Sequence, residues 1–452
     1  MKNAEPIRTS SHPSLVIAIF LLFWGAGFTS QAQNPPGQNV KRDLEALEFI
    51  RKTISEKYYD KNYRGIDLDA KFKSYAEKLK KSRSDQESLA LMAAAVMEFD
   101  DSHTIFLPPS FDQRVDYGWE MEMVGDSCVV TGVAPQSDAE KQGLKAGDVI
   151  LSIDGAQPSR GNLWKVIYFF LYLNPQPVRQ LIVQSPEGKP RLVTIAARLE
   201  KYPNATRKDV LRSHRQVRER MLELVRKVSE DVVLWKIPIL ENYEDKDIDQ
   251  ILGVIKGYKK LILDIRGNVG GTPEVLSSVL SCLFSQEMKA YDRKDRKKVS
   301  PLWVKPHKKG AFNGALVALV DGNTGSGAEI IARLVQLEKR GKVIGDRTAG
   351  GVMLSEEFRT ATSLDGTFQL KSLFIYGVQV SVADVLMPDG KSLERIGVSP
   401  DELLLPKPED IANKRDPVLA RAAAILGATI DPEKAGALLE SLLSTPSNQP
   451  KQ

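Results

Sequence analysis

The chain has 452 residues, of which 42% are hydrophobic and 27% are charged. This composition is typical of globular proteins and excludes a disordered or fibrous chain. The length predicts two or three domains. The net charge of +5, from 63 basic and 58 acidic residues, gives no indication of nucleic-acid binding. The two cysteines are too few for a disulfide scaffold or a cysteine-based zinc site.

Histidine is scarce in this chain, which contains His12, His103, His214 and His307 and no others. The unperturbed pKa of histidine lies near neutral pH, so histidine is the usual general base in enzymes. A reaction that depends on a histidine therefore has four candidates.

The amino terminus has the pattern of a secretory signal peptide, residues 1–32. Lys2 and Arg8 precede an apolar stretch over residues 15–28, and small residues lead to a cleavage point after Ala32. The stretch is about 14 residues long, shorter than the roughly 20 that span a bilayer. We expect export to the periplasm or the extracellular space, no stable membrane span after cleavage, and removal of His12. An uncleaved anchor is the alternative.

Residues 33–112 are predicted to form a small helical domain. Apolar residues repeat at helical spacing between Leu44 and Ile54, and a capping-box pattern at residues 84–87 predicts the start of a further helix. His103 follows that helix, so we expect it on a loop between packed elements. On its local sequence alone, a structural role as a capping histidine is favoured.

Short strand patterns replace the helical ones from about residue 117. Residues 143–155, G-L-K-A-G-D-V-I-L-S-I-D-G, resemble the signature of a PDZ domain at nearly every position. Such domains add a peptide strand to a sheet edge and bind its terminal carboxylate with backbone amides. The resemblance implies that Tyr117, Gly118 and Trp119 form the carboxylate-binding loop. A spacer or gate is the alternative role for this domain.

Two basic segments contain the remaining histidines. Residues 201–230, with His214, have an apolar stripe and interspersed charges that predict an amphipathic surface helix. The run from Arg293 to Lys309, with His307, contains two prolines and is predicted to be a solvated loop. Neither histidine has an acid or hydroxyl residue arranged around it, so neither is expected to be catalytic.

The last large region alternates strands and helices, which predicts α/β layers. Buried strands are expected at residues 260–264, 315–320 and 342–345, and helices at 273–283 and 327–338. Glycine-rich turns at 264–271 and 321–327 lack the Lys-Ser/Thr of a phosphate loop and the G-x-G-x-x-G pattern. A nucleotide site is therefore disfavoured.

Ser326 stands between a predicted strand and a helix, with Gly325 and Gly327 on either side. The glycines permit a sharp turn that projects the hydroxyl, and the helix start offers free amides to an oxyanion. The spacing is not that of a G-x-S-x-G elbow, because residue 324 is threonine. On local sequence alone, an ordinary helix N-cap is the favoured role of Ser326.

Five motifs occur in order along the chain. They are Asp101-Ser102-His103-Thr104, Asp264-x-Arg266-x-Asn268-x-Gly270-Gly271, Gly325-Ser326-Gly327-Ala328-Glu329, Gly345-Asp346-Arg347-Thr348-x-Gly350-Gly351, and Glu394-Arg395-Ile396-Gly397-Val398-x-Pro400-Asp401. With them the chain resembles the tail-specific (carboxyl-terminal processing) serine protease family, which also contains the tricorn core and retinoid-binding repeats.

The resemblance implies a multidomain α/β protein. Its protease core, with crotonase/ClpP-like layers, would occupy residues 201–428. The helical domain (33–112) would precede an inserted PDZ-like β domain (113–200), and residues 429–452 would form a carboxyl-terminal tail.

One departure from the family bears on mechanism. Members with a Ser–Lys dyad have lysine at the position of Gly351, and neither Lys342 nor Lys371 occupies that place. The chain instead resembles the tricorn branch, which uses serine, histidine, glutamate and a second serine. The resemblance assigns these roles to Ser326, His103, Glu394 and Ser102.

The amides of Gly327 and of the Gly270-Gly271 turn would bind the oxyanion. Asp100 and Asp101 remain alternatives to Ser102 and Glu394 as the group that orients the imidazole.

The resulting hypothesis is an exported serine endopeptidase whose partners are polypeptide substrates, which the PDZ-like domain could select by their free carboxyl termini. No cofactor, metal or nucleic acid is implied, and the oligomeric state is left open. Cys128 and Cys282 have apolar neighbours and are expected to be buried free thiols. The alternative function is a noncatalytic binding protein on the same fold, either a PDZ scaffold or a retinoid-binding-like module.

Overall fold

The computed structural model describes residues 38–109, 113–201, 224–241, 243–363 and 373–443. The predicted signal peptide, His12, His214 and Lys371 lie outside these ranges. The helices are α1 (Gln38–Lys57), α2 (Leu68–Leu79), α3 (Asp85–Met97), α4 (Asp138–Lys141), α5 (Leu163–Tyr168), α6 (Asp245–Ile255), α7 (Pro273–Leu283), α8 (Gly327–Leu337), α9 (Pro408–Ala412), α10 (Pro417–Ile425) and α11 (Pro432–Leu443).

The strands are β1 (Ile105–Leu107), β2 (Gln113–Asp116), β3 (Trp119–Val124), β4 (Ser127–Val133), β5 (Val149–Ile153), β6 (Val178–Gln184), β7 (Arg191–Ala196), β8 (Arg198–Lys201), β9 (Val225–Lys227), β10 (Val232–Lys236), β11 (Lys260–Asp264), β12 (Met288–Asp295), β13 (Val299–Val304), β14 (Ala315–Val320), β15 (Lys342–Gly345), β16 (Met353–Ser363), β17 (Leu373–Leu386) and β18 (Glu402–Leu403).

A six-stranded sheet of order β18-β15-β14-β11-β10-β9 forms the core, and only β9 runs antiparallel to its neighbour. Helices α6, α7 and α8 pack on one face, and α10 and α11 on the other. Strands covered on both faces are apolar at nearly every position, as in β14, Ala-Leu-Val-Ala-Leu-Val. The turns that follow β11, β14 and β15 therefore meet at the carboxyl edge of this sheet.

A second sheet joins the amino-terminal helices to the core. Strand β17 pairs with β1, β12 and β16, all antiparallel. The apolar faces of α1, α2 and α3 share one hydrophobic cluster with Tyr376, Val378 and Val380 of β17. The segment before β1, which contains His103, is thus anchored on a strand more than 270 residues later in the chain.

Strands β3 to β7 form a five-stranded antiparallel sheet around its own apolar cluster, at the place of the predicted PDZ-like domain. Strands β2 and β8 pair with each other and form the base of this insertion. In the order β3-β4-β5-β6-β7, strand β3 is an edge strand, so one of its sides is open to pairing.

Two sequence predictions for the basic segments need correction. The run from Arg293 to Lys309 is not a solvated loop, because most of it forms β12 and β13. The interval 201–230 ends in strand β9 rather than in a helix, and residues 202–223 lie outside the described ranges. Cys128 and Cys282 are buried free thiols, as expected.

Candidate active site

Ser326 stands at the first position before α8 with a backbone conformation that serine rarely adopts, φ 52° and ψ −122°. Ordinary capping serines in this chain differ: Ser84 and Ser137 have extended backbones, and their hydroxyls accept the amide three residues on. A positive φ at a non-glycine residue costs about 1–3 kcal/mol and is concentrated at functional sites. Ser326 therefore occupies a capping position without the usual capping backbone.

Glycine at position 270 allows the close approach that this turn needs. A Cβ there would lie 2.5 Å from Ser326 Cβ and 3.0 Å from the Gly327 nitrogen. The turn is held by Asn268, whose side chain donates to the Ile237 carbonyl at 2.9 Å and accepts from the Gly270 amide at 2.8 Å. The Gly270 amide is thereby engaged, whereas Gly327 starts a helix, where amides have no intrahelical partner.

The loop that carries His103 is anchored by Asp101. Its carboxylate accepts from the backbone amide of His103 at 2.9 Å, from the Ser381 hydroxyl at 2.6 Å and from the Tyr58 hydroxyl at 3.0 Å. Asp100 forms ion pairs with Lys165 and Arg395. Neither acid contacts an imidazole nitrogen of His103. Both acids, which the sequence left as alternatives for orienting the imidazole, therefore bond to other groups.

Ser102 connects the imidazole to a carboxylate. Its hydroxyl lies 2.7 Å from His103 Nδ1 and 2.8 Å from Glu394 Oε2. The same carboxylate accepts from the backbone amides of Ser102 and Val352. An ionised carboxylate can only accept, so the single hydroxyl proton goes to Glu394 and Ser102 accepts from Nδ1–H. This tautomer leaves Nε2 of His103 with its lone pair free.

Burial sets the electrostatics of this chain of groups. It lowers the pKa of His103, with the charge of Asp101 opposing the shift. Burial raises the pKa of Glu394, opposed by the hydrogen bond from the Ser102 amide. A histidine with a lowered pKa is neutral at neutral pH, which is the form that can take up a proton.

Gly351 lies between the His103 side and the Ser326 side of the site. Its carbonyl accepts the Ser326 amide at 3.0 Å. A Cβ on it would lie 3.4 Å from Ser102 Oγ and 4.0 Å from His103 Cε1. The five-motif pattern thus brings Ser326, Gly270, Gly327, His103, Ser102 and Glu394 to one place.

Glu329 is a supporting residue to which the sequence assigned no role. It is fully buried and accepts from the amides of Ser326, Gly350 and Gly351 at 2.8–3.0 Å and from the Thr348 hydroxyl. Burial raises its pKa to about 7, with the hydrogen bond from Thr348 opposing the shift. The signal available in the sequence was an acid among apolar residues in the first turn of the helix.

No described lysine replaces the missing dyad lysine at Gly351. Lys342 forms an ion pair with Glu402. Lys236, at the end of β10, is buried against Asp264 and the Arg266 carbonyl.

The three residues expected to bind a carboxylate lie where β3 begins. Tyr117 is buried, and its hydroxyl bonds the Gln176 carbonyl at 2.7 Å and accepts from Arg179. The Gly118 amide donates to Asp116. Trp119 lines a cavity of about 1270 Å³ between β3 and the core, together with Met121, Phe170, Asn323 and Arg359. The cavity extends along the open edge of β3 to the turn that precedes Ser326.

Within the described ranges, no group of acidic, histidine and cysteine side chains could hold a metal ion. In the same ranges no helix is both long and apolar enough to cross a bilayer.

Comparison with known proteins decides the family. Residues 232–404 match the model of peptidase family S41, and residues 129–164 match a PDZ domain. The core of this chain belongs to peptidase family S41. It is a serine peptidase, and it carries a PDZ domain.

The S41 relatives include the chloroplastic carboxyl-terminal-processing peptidase 2 of Arabidopsis thaliana, 23% identical over 91% of this chain and 79% of the relative. A putative tricorn-like protease C-terminal subunit of Sulfurisphaera tokodaii is 32% identical over 36% of this chain and 17% of that protein. The fold is shared with mature CPAF, solved in complex with lactacystin. Its TM-score is 0.62 at 14% identity, over 89% of this chain and 99% of that one.

Proposed function

We propose that this S41 peptidase cleaves polypeptides with Ser326 as nucleophile and His103 as general base, without a lysine. His103 Nε2 takes the proton from the Ser326 hydroxyl as the hydroxyl attacks the peptide carbonyl, and later gives it to the leaving amine. Ser102 and Glu394 stabilise the imidazolium that forms between these steps. The observation that carries the proposal is the Ser102 hydroxyl, in contact with both His103 Nδ1 and Glu394 Oε2.

Two backbone amides are proposed to bind the oxyanion, those of Gly327 and Gly271. Gly327 belongs to the first turn of α8, where the helix dipole also favours negative charge. Within the predicted Gly270-Gly271 pair, Gly271 is the better donor, because the Gly270 amide already donates to Asn268. Loss of one such donor costs about 2.7–4 kcal/mol in the transition state.

The proposed substrates are polypeptides whose carboxyl-terminal segment binds along β3. The open edge of this strand offers unpaired backbone groups, and the cavity beside it reaches the turn before Ser326. A peptide that pairs with this edge would lie within the cavity and would extend along it toward the nucleophile.

We also propose export, with cleavage after Ala32 and a periplasmic or extracellular location. The support is the basic, apolar and small-residue pattern of residues 1–32. Amino-terminal sequencing of the processed protein should begin at Gln33. A start at Met1 in membrane fractions would instead favour an uncleaved anchor.

The decisive experiment is labelling with a fluorophosphonate probe followed by peptide mapping. We expect the label on Ser326, and loss of both label and peptide cleavage in Ser326→Ala. Ser137→Ala is the matched control, since it removes a capping serine and should leave labelling unchanged. His103→Ala should abolish cleavage, and undiminished hydrolysis in that variant would exclude the histidine mechanism.

Labelling at Ser326 without cleavage of any peptide tested would point to a gated enzyme or to the noncatalytic scaffold. Absence of both labelling and cleavage would leave the family assignment intact and remove the proposed activity.

A further inference from the structure

A strongly basic surface lies on the β12–β13 hairpin, none of whose residues belongs to the candidate site. Residues 288–309 contain nine basic and two acidic residues, a formal charge of +7, whereas the whole chain has +5. Lys294, Lys297, Lys298 and Lys305 are exposed, and none of them has a carboxylate partner within 4 Å in the described part of the chain. This short segment therefore carries a strong local excess of positive charge.

Large apolar side chains stand among these lysines. Strand β13 is the outer strand of its sheet, and its alternate residues Val299, Pro301 and Trp303 point to solvent. Val299 is 56% and Trp303 55% exposed. Lys294 is paired across the strands with Val299, and Lys289 with Trp303, so lysines and apolar groups share one face.

The acidic residues on this face do not cancel its charge. Asp292 pairs with Lys289 at 2.8 Å. Asp384 of β17 lies opposite Lys294 and accepts from the Ser392 hydroxyl at 2.7 Å. The lysines of the 297–298 turn and Lys305 extend beyond both acids.

Protection of an edge strand accounts for part of this pattern. Lysine and proline on an outer strand prevent another strand from pairing with it. That role argues against strand addition by a second copy, but it does not require an exposed tryptophan or valine. Tryptophan beside lysine is the combination that anchors proteins at the surface of anionic membranes, where the ring enters the interface and the amines contact lipid phosphates.

We propose that the face formed by Lys294, Lys297, Lys298, Val299, Trp303 and Lys305 binds the surface of an anionic phospholipid membrane. The protein would lie on the bilayer through this hairpin without crossing it. Each lysine near an anionic surface strengthens binding roughly fivefold, so the cluster is sufficient for reversible binding.

The test is flotation of the full chain with vesicles of phosphatidylcholine alone, or of phosphatidylcholine mixed with phosphatidylglycerol. Binding should rise with the anionic lipid and fall with salt. In the triple variant K294E/K297E/K298E, affinity for the anionic vesicles should be ~100-fold weaker than in the wild type. K141E/K145E/K189E, three exposed lysines of the PDZ domain, is the charge-matched control and should behave as wild type. Any binding by the apolar stretch 15–28 and the basic residues before it is common to all variants, so differences between variants report the hairpin.

The apolar part of the proposal is tested by Trp303→Ser, which should weaken vesicle binding roughly tenfold. Leu192→Ser, at a residue 64% exposed on the PDZ sheet, is its control.

Wild-type binding by the triple variant would overturn the proposal. The proposal would also be overturned if soluble polyglutamate bound as well as the vesicles and Trp303→Ser had no effect. That result would assign the face to an acidic macromolecule. A change from dimer to monomer on mutation would assign it to a second copy. Fluorophosphonate labelling of each variant reports whether its fold is intact.

Discussion

The Ser102 hydroxyl lies 2.7 Å from Nδ1 of the adjacent His103, so a neighbour in sequence contacts the imidazole directly. The carboxylate behind it, Glu394, comes from a segment almost 300 residues later. The arrangement differs from a Ser–His–Asp triad in that a hydroxyl stands between imidazole and acid.

Ser102→Ala should lower kcat by about 10²–10⁴-fold with little change in KM, because Nδ1–H loses its acceptor while substrate contacts remain. Glu394→Gln should lower kcat through the same pathway. The double variant should therefore be little worse than Ser102→Ala alone. Steady-state kinetics on one peptide check this, and fully additive losses would show that the two residues act separately.

Activity should persist to a lower pH than a histidine with the ordinary pKa of 6.5 would allow. Burial holds the pKa of His103 below the ordinary 6.5, so the neutral base survives as pH falls through 6.5 and is lost only below it. The acidic limb of kcat/KM should therefore have its midpoint under pH 6.5. A midpoint at 6.5 or above that is unchanged in Glu329→Gln would contradict the assignment of His103.

Lysine at position 351 should not create a Ser–Lys enzyme. A Cβ there meets Ser102 Oγ at 3.4 Å, and the longer side chain would extend against the Ser102–His103 pair. We expect Gly351→Lys to lose most activity and Gly351→Ala to retain much of it. A Gly351→Lys/His103→Ala protein that cleaves peptides would show that a lysine can act from this position.

The strain at Ser326 predicts an order of stability. Glycine tolerates φ 52° and alanine does not, so Ser326→Gly should be more stable than Ser326→Ala by roughly 1 kcal/mol in urea unfolding. Ser84, whose backbone is extended and whose hydroxyl caps α3, serves as the control site. There both substitutions should destabilise, since each removes a cap.

Glu329 should make stability depend on pH. Its pKa is about 7 in the folded protein, against an ordinary value of 4.5 for glutamate, so the folded protein binds a proton more readily between these values. The stability that this proton provides is complete below pH 4.5 and is lost as the pH rises through 7. Glu329→Gln should remove this dependence.

Glu329→Gln should also destabilise the protein by about 1–3 kcal/mol, because its amide group faces backbone donors. Urea unfolding at pH 5 and pH 8 separates the two effects. The exposed Glu356→Gln is the control, and an unchanged pH dependence in Glu329→Gln would assign it to another group.

Much of the core was predictable because its strands are buried on both faces. The strands at residues 260–264 and 315–320 and the helix at 273–283 have the predicted bounds. The β12–β13 hairpin was missed because its lysines and Pro301 are typical of loops. There the sheet is formed by pairing with β17, which local sequence does not encode.

In the site, the turn around Ser326 was readable from its glycines, but its positive φ was not. The contact between Ser102 and Glu394 joins residues 292 positions apart, and no spacing rule reaches that far. Glu329 shows a further limit: a buried acid is recognisable only when its donors, most of which come from residues 348–351, are seen around it.

The pairing of β1 with β17 also bears on the biogenesis of the enzyme. His103, Ser102 and their anchors depend on Ser381 and Glu394, so the proposed base is in place only after nearly the whole chain has been made and folded. A nascent chain can already contain Ser326 before His103 is organised. If His103 is the base, as proposed above, this topology delays proteolytic activity until synthesis is almost complete.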